Sequence, residues 1–114
     1  MIKRQNEFKV TAEYNANGEE KMYLTDLSDF KEKNEKLRMF SHISLNAGEE
    51  VEYHVHKGEF ESYYILSGKG LYNDNGKESE VEKGVITFTP SGEGHGIKNI
   101  GSDSLEFIAL IVSD

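Results

Sequence analysis

Pairs of turn-forming residues divide this chain into short runs, and those divisions limit its fold more than any other feature. Asn17-Gly18 and Asn75-Gly76 suit type I′ hairpins, because both residues of such a turn must accept positive φ. Asn46-Ala47-Gly48, Ser67-Gly68, Lys83-Gly84 and Ser91-Gly92 mark further reversals. Between the signals lie apolar or alternating runs. They predict strands over Phe8–Tyr14, Lys21–Asp26, Leu37–Leu45, Glu50–Val55, Phe60–Ser67, Gly70–Asn73, Glu78–Val81, Val85–Thr89, His95–Asn99 and Ser104–Val112. Many short strands at close spacing predict an all-β sandwich or barrel. The run Ser28–Lys36 differs. Ser28 or Asp29 could cap a helical turn, but the face is almost wholly charged, so a loop or a single turn is expected.

Length and charge narrow the function classes. The 114 residues suffice for one domain with a real core. Six Phe and six Tyr supply large buryable groups, which argues against disorder. A formal net charge of −8 with no Lys/Arg cluster excludes nucleic acid as a partner and disfavours an anionic membrane surface. The absence of cysteine excludes disulfides and thiolate metal sites. No apolar run approaches a signal peptide or membrane span, so the expected location is cytoplasmic.

The chain has four histidines, and two stand in HVHKGEFE, residues 54 to 61. In a strand, positions i and i+2 share a face, so His54 and His56 project together. Lys57-Gly58-Glu59 can reverse the chain, and the next strand can then return antiparallel with Glu61 beside the imidazoles. His95, which opens a later strand, can supply a fourth group. Three imidazole nitrogens and a carboxylate oxygen suit a divalent cation. A His-x-His pair by itself reads better as a solvent-facing feature, with Glu61 one of 21 scattered acids.

The neighbouring residues tip that balance. The stretch GEEVEYHVHKGEFESYYILSG, residues 48 to 68, resembles the first motif of the cupin family at Gly48, His54, His56, Glu61 and Gly68. GVITFTPSGEGHGIKN, residues 84 to 99, resembles the second at Gly84, Pro90, Gly92, His95 and Asn99. The spacer Lys69 to Lys83 is similar to that of small single-domain cupins. Ala47-Gly48 departs from the family's frequent Pro-Gly, a turn preference without chemical consequence. The resemblance implies one small antiparallel jelly-roll β-barrel over residues 1–114, with N-terminal strands and a loop in 1–36 and the barrel in 37–114. It implies one divalent metal ion (Mn, Fe, Zn, Ni, Co or Cu) held by His54, His56, Glu61 and His95. The motif glycines, Pro90 and Asn99 are read as turn-forming residues.

Strand parity extends the reading. Tyr63 and Ile65 share the face of Glu61, and Ile97 that of His95. Ile86 and Phe88 are expected to form wall or core. Leu37, Met39, Ile43 and Leu45 should form a core row, with Arg38, Phe40, His42 and Ser44 facing out, so His42 is not expected as a ligand. Arg38 is the only arginine placed to clamp an anion inside the barrel. Ser104–Val112 is apolar on both faces, and the outer one needs a cover, either the N-terminal segment or a second subunit. Small cupins commonly dimerise, so a homodimer is expected by resemblance.

Three function classes fit such a barrel. One is a metal-dependent dioxygenase, decarboxylase or isomerase, with Tyr63 and Glu93 as its candidate catalytic residues. Another is a non-catalytic binding or sensing protein using the same metal. A purely structural module has no need of a complete ligand set. The expected ligand is a small carboxylate such as oxalate or a 2-keto acid, drawn to the charge a divalent ion retains beside one carboxylate.

Overall fold

The computed structural model describes residues 1–30 and 32–114. After a 3-10 turn at Gln5–Glu7, the strands are β1 (Val10–Tyr14), β2 (Glu20–Asp26), β3 (Leu37–Leu45), β4 (Glu50–Val55), β5 (Glu59–Ser67), β6 (Lys69–Asp74), β7 (Lys77–Glu82), β8 (Gly94–Asn99) and β9 (Leu105–Ser113). They form a five-stranded sheet, β1-β2-β3-β9-β5, and a four-stranded sheet, β4-β8-β6-β7. All pairings are antiparallel. The all-β, two-sheet architecture is the one the turn spacing predicted. The Ser28–Lys36 segment forms no helix among its described residues, and Lys31 within it lies outside them. Instead the Asp26 carboxylate accepts from the backbone N–H and hydroxyl of Ser28.

Alternation along the strands fills the space between the sheets. Ile43 and Leu45 of β3, Ile65 of β5, Ile97 of β8 and Leu105, Phe107 and Ala109 of β9 are buried there together. Phe40, His42 and Ser44 of β3 and the intervening residues of β9 face outward, while Arg38, at the register shift between Leu37 and Met39, is exposed on the side of Leu24 and Met39. Each inward aliphatic side chain contributes on the order of 1.5–3 kcal/mol of burial free energy. The turn between β5 and β6 shows why one reversal needs glycine. Gly68 has φ +91°, and a Cβ there would sit 2.8 Å from the Ser104 carbonyl oxygen.

Three local expectations give way. The first concerns β4 and β5, which do not pair as a hairpin. β5 lies in the five-stranded sheet beside β9, and β4 lies in the other beside β8. The His56–Gly58 segment therefore carries the chain across the barrel instead of folding it back.

Residues 85 to 89 are not a strand of either sheet. They follow β5 through isolated pairings, Glu61 with Thr89 and Tyr64 with Ile86. Ile86 and Phe88 point outward, 70% and 59% exposed, whereas Thr87 and Thr89 are buried. Hydroxyls win the inward positions because the buried polar groups there need partners. Thr87 Oγ1 accepts from the Tyr63 N–H at 3.1 Å, and Thr89 Oγ1 meets the Tyr72 hydroxyl at 2.9 Å.

The Asn17-Gly18 turn is not type I′. Among the described non-glycine residues only Asn75 has positive φ, so Asn75-Gly76 alone has the paired conformation a type I′ turn requires. At the first turn the Asn15 side chain accepts from the N–H groups of Asn17 and Glu19. That stabilises a longer loop, and the β1–β2 register shifts at Tyr14.

Candidate metal centre

The sheets bring His54, His56, Glu61 and His95 to one point between them. His54 and His95 are direct cross-strand partners on β4 and β8. His56 follows at the end of β4, and Glu61 enters from β5 in the facing sheet. The turn that precedes β8 is anchored to the His-x-His segment: Gly92 N–H donates to the His56 carbonyl at 2.8 Å, and Gly58 N–H to Ser91 Oγ at 2.9 Å. The two motif stretches, distant in sequence, are thereby locked in register.

The donor atoms are spaced as ligands around a small ion. Glu61 Oε1 lies 2.6 Å from His95 Nε2, 2.9 Å from His56 Nε2 and 3.5 Å from His54 Nε2. His54 Nε2 and His95 Nε2 are 3.2 Å apart, and all four donors fall within 4.8 Å of one another. Ligands about 2.1 Å from one ion stand roughly 3.0–3.4 Å apart at cis or tetrahedral positions. The group could hold a metal ion.

The outward-facing nitrogens agree with that reading. His54 Nδ1 lies 2.8 Å from the Glu52 carbonyl, which can only accept, so Nδ1 carries the proton. His56 Nδ1 lies 2.7 Å from the Glu59 carboxylate. His95 Nδ1 lies 2.8 Å from the Tyr72 hydroxyl, which also meets Thr89 Oγ1 at 2.9 Å. Each ring thus has its Nδ1 held by another group and its Nε2 turned inward, the orientation a metal ligand needs. Donor atoms this close to one carboxylate oxygen need a proton or a cation between them. The residues present therefore fit a divalent ion.

Electrostatics follow from this crowding. Burial would raise the Glu61 carboxyl, but contacts with His54, His95 and His56 outweigh it and pull it down to about 2. Contact with Glu61 raises His54, against the opposing effect of its burial. Burial, with Glu61 and Tyr72 nearby, pushes the Tyr63 hydroxyl well above its ordinary value and keeps it a proton donor.

A cavity of about 190 Å³ opens beside the group, lined by His54, His56, Glu61, Tyr63 and mostly aliphatic side chains. Tyr63 is 2% exposed, and its ring stacks 4.8 Å from His95. Glu93 does not line this cavity; it sits half-buried in the turn before β8, where its N–H donates to the Pro90 carbonyl. Arg38 lines a neighbouring hollow with Lys33. His42 lies on the outer face, 2.8 Å from Glu106. Asn99 does more than end its strand: its amide donates to the Leu45 and Asp103 carbonyls from a 1% exposed position. Glu59, Tyr72 and Thr89 were missed by sequence reasoning. Their only signal was parity on strands whose pairing had not been fixed.

Comparison with known proteins agrees with this architecture. A family model described as Cupin domain matches residues 41–111. The chain is 48% identical over 77 residues to an oxalate-binding protein of Thermotoga maritima, a match covering 68% of this chain and 64% of that one. The matched stretch is thus less than two thirds of that relative's length. A Thermotoga maritima crystal structure described as a predicted oxalate decarboxylase superposes with a TM-score of 0.90 at 37% identity, covering 100% of both chains. The cupin domain of Schizosaccharomyces pombe Cnp3 gives a TM-score of 0.72 at 25% identity, covering 82% of this chain and 65% of that one.

Proposed function

This chain belongs to the cupin family, and from that premise we propose that it binds a small chelating carboxylate, of which oxalate is the simplest, at a divalent metal held by His54, His56, Glu61 and His95. The observation that carries the reading is the inward convergence of three Nε2 atoms on Glu61, with each outer nitrogen engaged by another group. The relative named as an oxalate-binding protein supports the choice of ligand. When bound, the ion would supply a residual positive charge that attracts a carboxylate.

The protein's own groups then divide the work. Glu61 offsets part of the charge. The imidazoles, each held through Nδ1, keep Nε2 aimed at the ion's position. Tyr63 offers a hydroxyl donor to a bound carboxylate, and the aliphatic walls exclude water. Turnover is the second reading, favoured by one observation: Tyr63 lines the cavity, where burial favours the protonated form of its hydroxyl. A decarboxylation would need such a donor to deliver a proton to the carbon that loses carbon dioxide. Glu93 is the less suitable donor, because it lines no part of the cavity.

The test is a pair of melting curves with oxalate, on manganese-loaded protein and on the His54→Ala/His56→Ala variant. A shift confined to the loaded protein is expected, by mass action on the folded state. Equal shifts, or none in either, would remove the metal from ligand binding.

A further inference from the structure

Resting on that proposed metal-carboxylate site, the wall of its cavity says what the rest of the ligand is made of. Six apolar side chains line it beside the histidines: Met22, Leu24, Met39, Ile43, Val51 and Ile111. Met22, Ile43 and Ile111 are at most 9% exposed. Apart from His54, His56 and Glu61, the only ionisable lining residues are Tyr63 and Glu13 among those described, and Glu13 is an anion. The cations closest along this end, Lys33 and Arg38, line a separate hollow that shares Glu13, Leu24 and Met39 with the cavity. There Glu13 and Asp26 stand beside them, and Lys33 helps hold the Asp26 carboxyl below its usual range, after hydrogen bonds from Ser28.

We propose that this site selects carboxylates whose charge lies wholly at the chelating end and whose other end is a short uncharged aliphatic group. Branched or linear 2-oxo monocarboxylates of four to six carbons are the class. A second carboxylate at the far end would be desolvated against methyl and methylene groups with no cation to meet it, and an unpaired buried charge is heavily penalised. An aliphatic tail instead gains by leaving water. A cavity of about 190 Å³ has the liquid volume of about six waters. That accommodates a metabolite of this size.

The experiment is calorimetric titration of the manganese-loaded protein with oxalate, pyruvate, 3-methyl-2-oxobutanoate and 2-oxoglutarate. The branched acid should bind about tenfold tighter than pyruvate, the expected gain for burying two further carbons. 2-Oxoglutarate should bind more weakly than pyruvate. If oxalate binds but 2-oxoglutarate matches or exceeds the branched acid, the selectivity proposed here is wrong while the metal-carboxylate reading stands. Failure of oxalate itself would overturn that reading and this one with it. Met39→Lys, which puts a cation in the wall, should reverse the order of the branched acid and 2-oxoglutarate; an unchanged order would show that the wall does not set it.

Discussion

At Tyr72 one hydroxyl bridges two buried groups, the outer nitrogen of His95 and the oxygen of Thr89. Tyr72→Phe keeps the ring and removes only that bridge, so His95 loses the partner that fixes its tautomer. Metal affinity, measured by manganese titration, should fall by about tenfold or more. The ¹⁵N shifts of His95 in metal-free protein should show mixed tautomers. Unchanged affinity with a single tautomer would mean that burial alone orients the ring. The four residues of the candidate centre could be named from the sequence, because i, i+2 parity and motif spacing are local. Tyr72 and Thr89 were not, since their relation to His95 exists only once the β6–β8 pairing and the course of residues 85 to 89 are set.

Among the elements, β3 and β9 are joined on their outer face by a polar cluster. Glu106 of β9 accepts from Ser44 and Ser104 and pairs with His42 of β3. Burial alone would raise its carboxyl, but the bonds from Ser104, Ser44 and His42 prevail and hold it below the usual range. A carboxylate depressed in the folded state stabilises above its unfolded pKa of about 4.3, and that stability is lost as pH falls through the lower folded value. Glu106→Gln should therefore be less stable than the parent at pH 7, and the difference in urea midpoint should close on acidification below about pH 4. A difference constant from pH 7 to pH 3 would rule out the carboxylate charge as its source. Strand existence and facing were readable for β3 and β9 from their alternation. The partner of β5 was not, because a short Gly-containing connection serves a hairpin and a sheet-to-sheet crossing equally well.

For the whole molecule, the outer face of β9 is the unresolved surface. Ile108, Leu110 and Val112 face outward and remain partly exposed, beside Phe40 and the 46% exposed Tyr64. The N-terminal segment around Gln5 and Phe8 reaches only the end of this face that carries His42, Ser44 and Glu106. We expect a second copy to cover the remainder. Light scattering at micromolar concentration should give about twice the 12.9 kDa chain mass, and Leu110→Lys should return it to the monomer value. A parent protein that stays monomeric at high concentration would refute this. No helix among the described residues is long and apolar enough to cross a membrane.

The sequence by itself determined the β class, the motif residues of the candidate centre and the inward row of β3, since each depends on local turn chemistry or on a period of two. Tertiary structure alone decided that Glu61 meets the histidines from the opposite sheet. It likewise decided that Thr87 and Thr89, and not Ile86 and Phe88, turn inward, and that Glu93 stays outside the cavity. Parity states which residues share a face. It does not state which face is the inner one when a buried hydroxyl network competes with an apolar side chain for the same position. That choice follows from the partners available across the barrel, and they are assembled only by the fold.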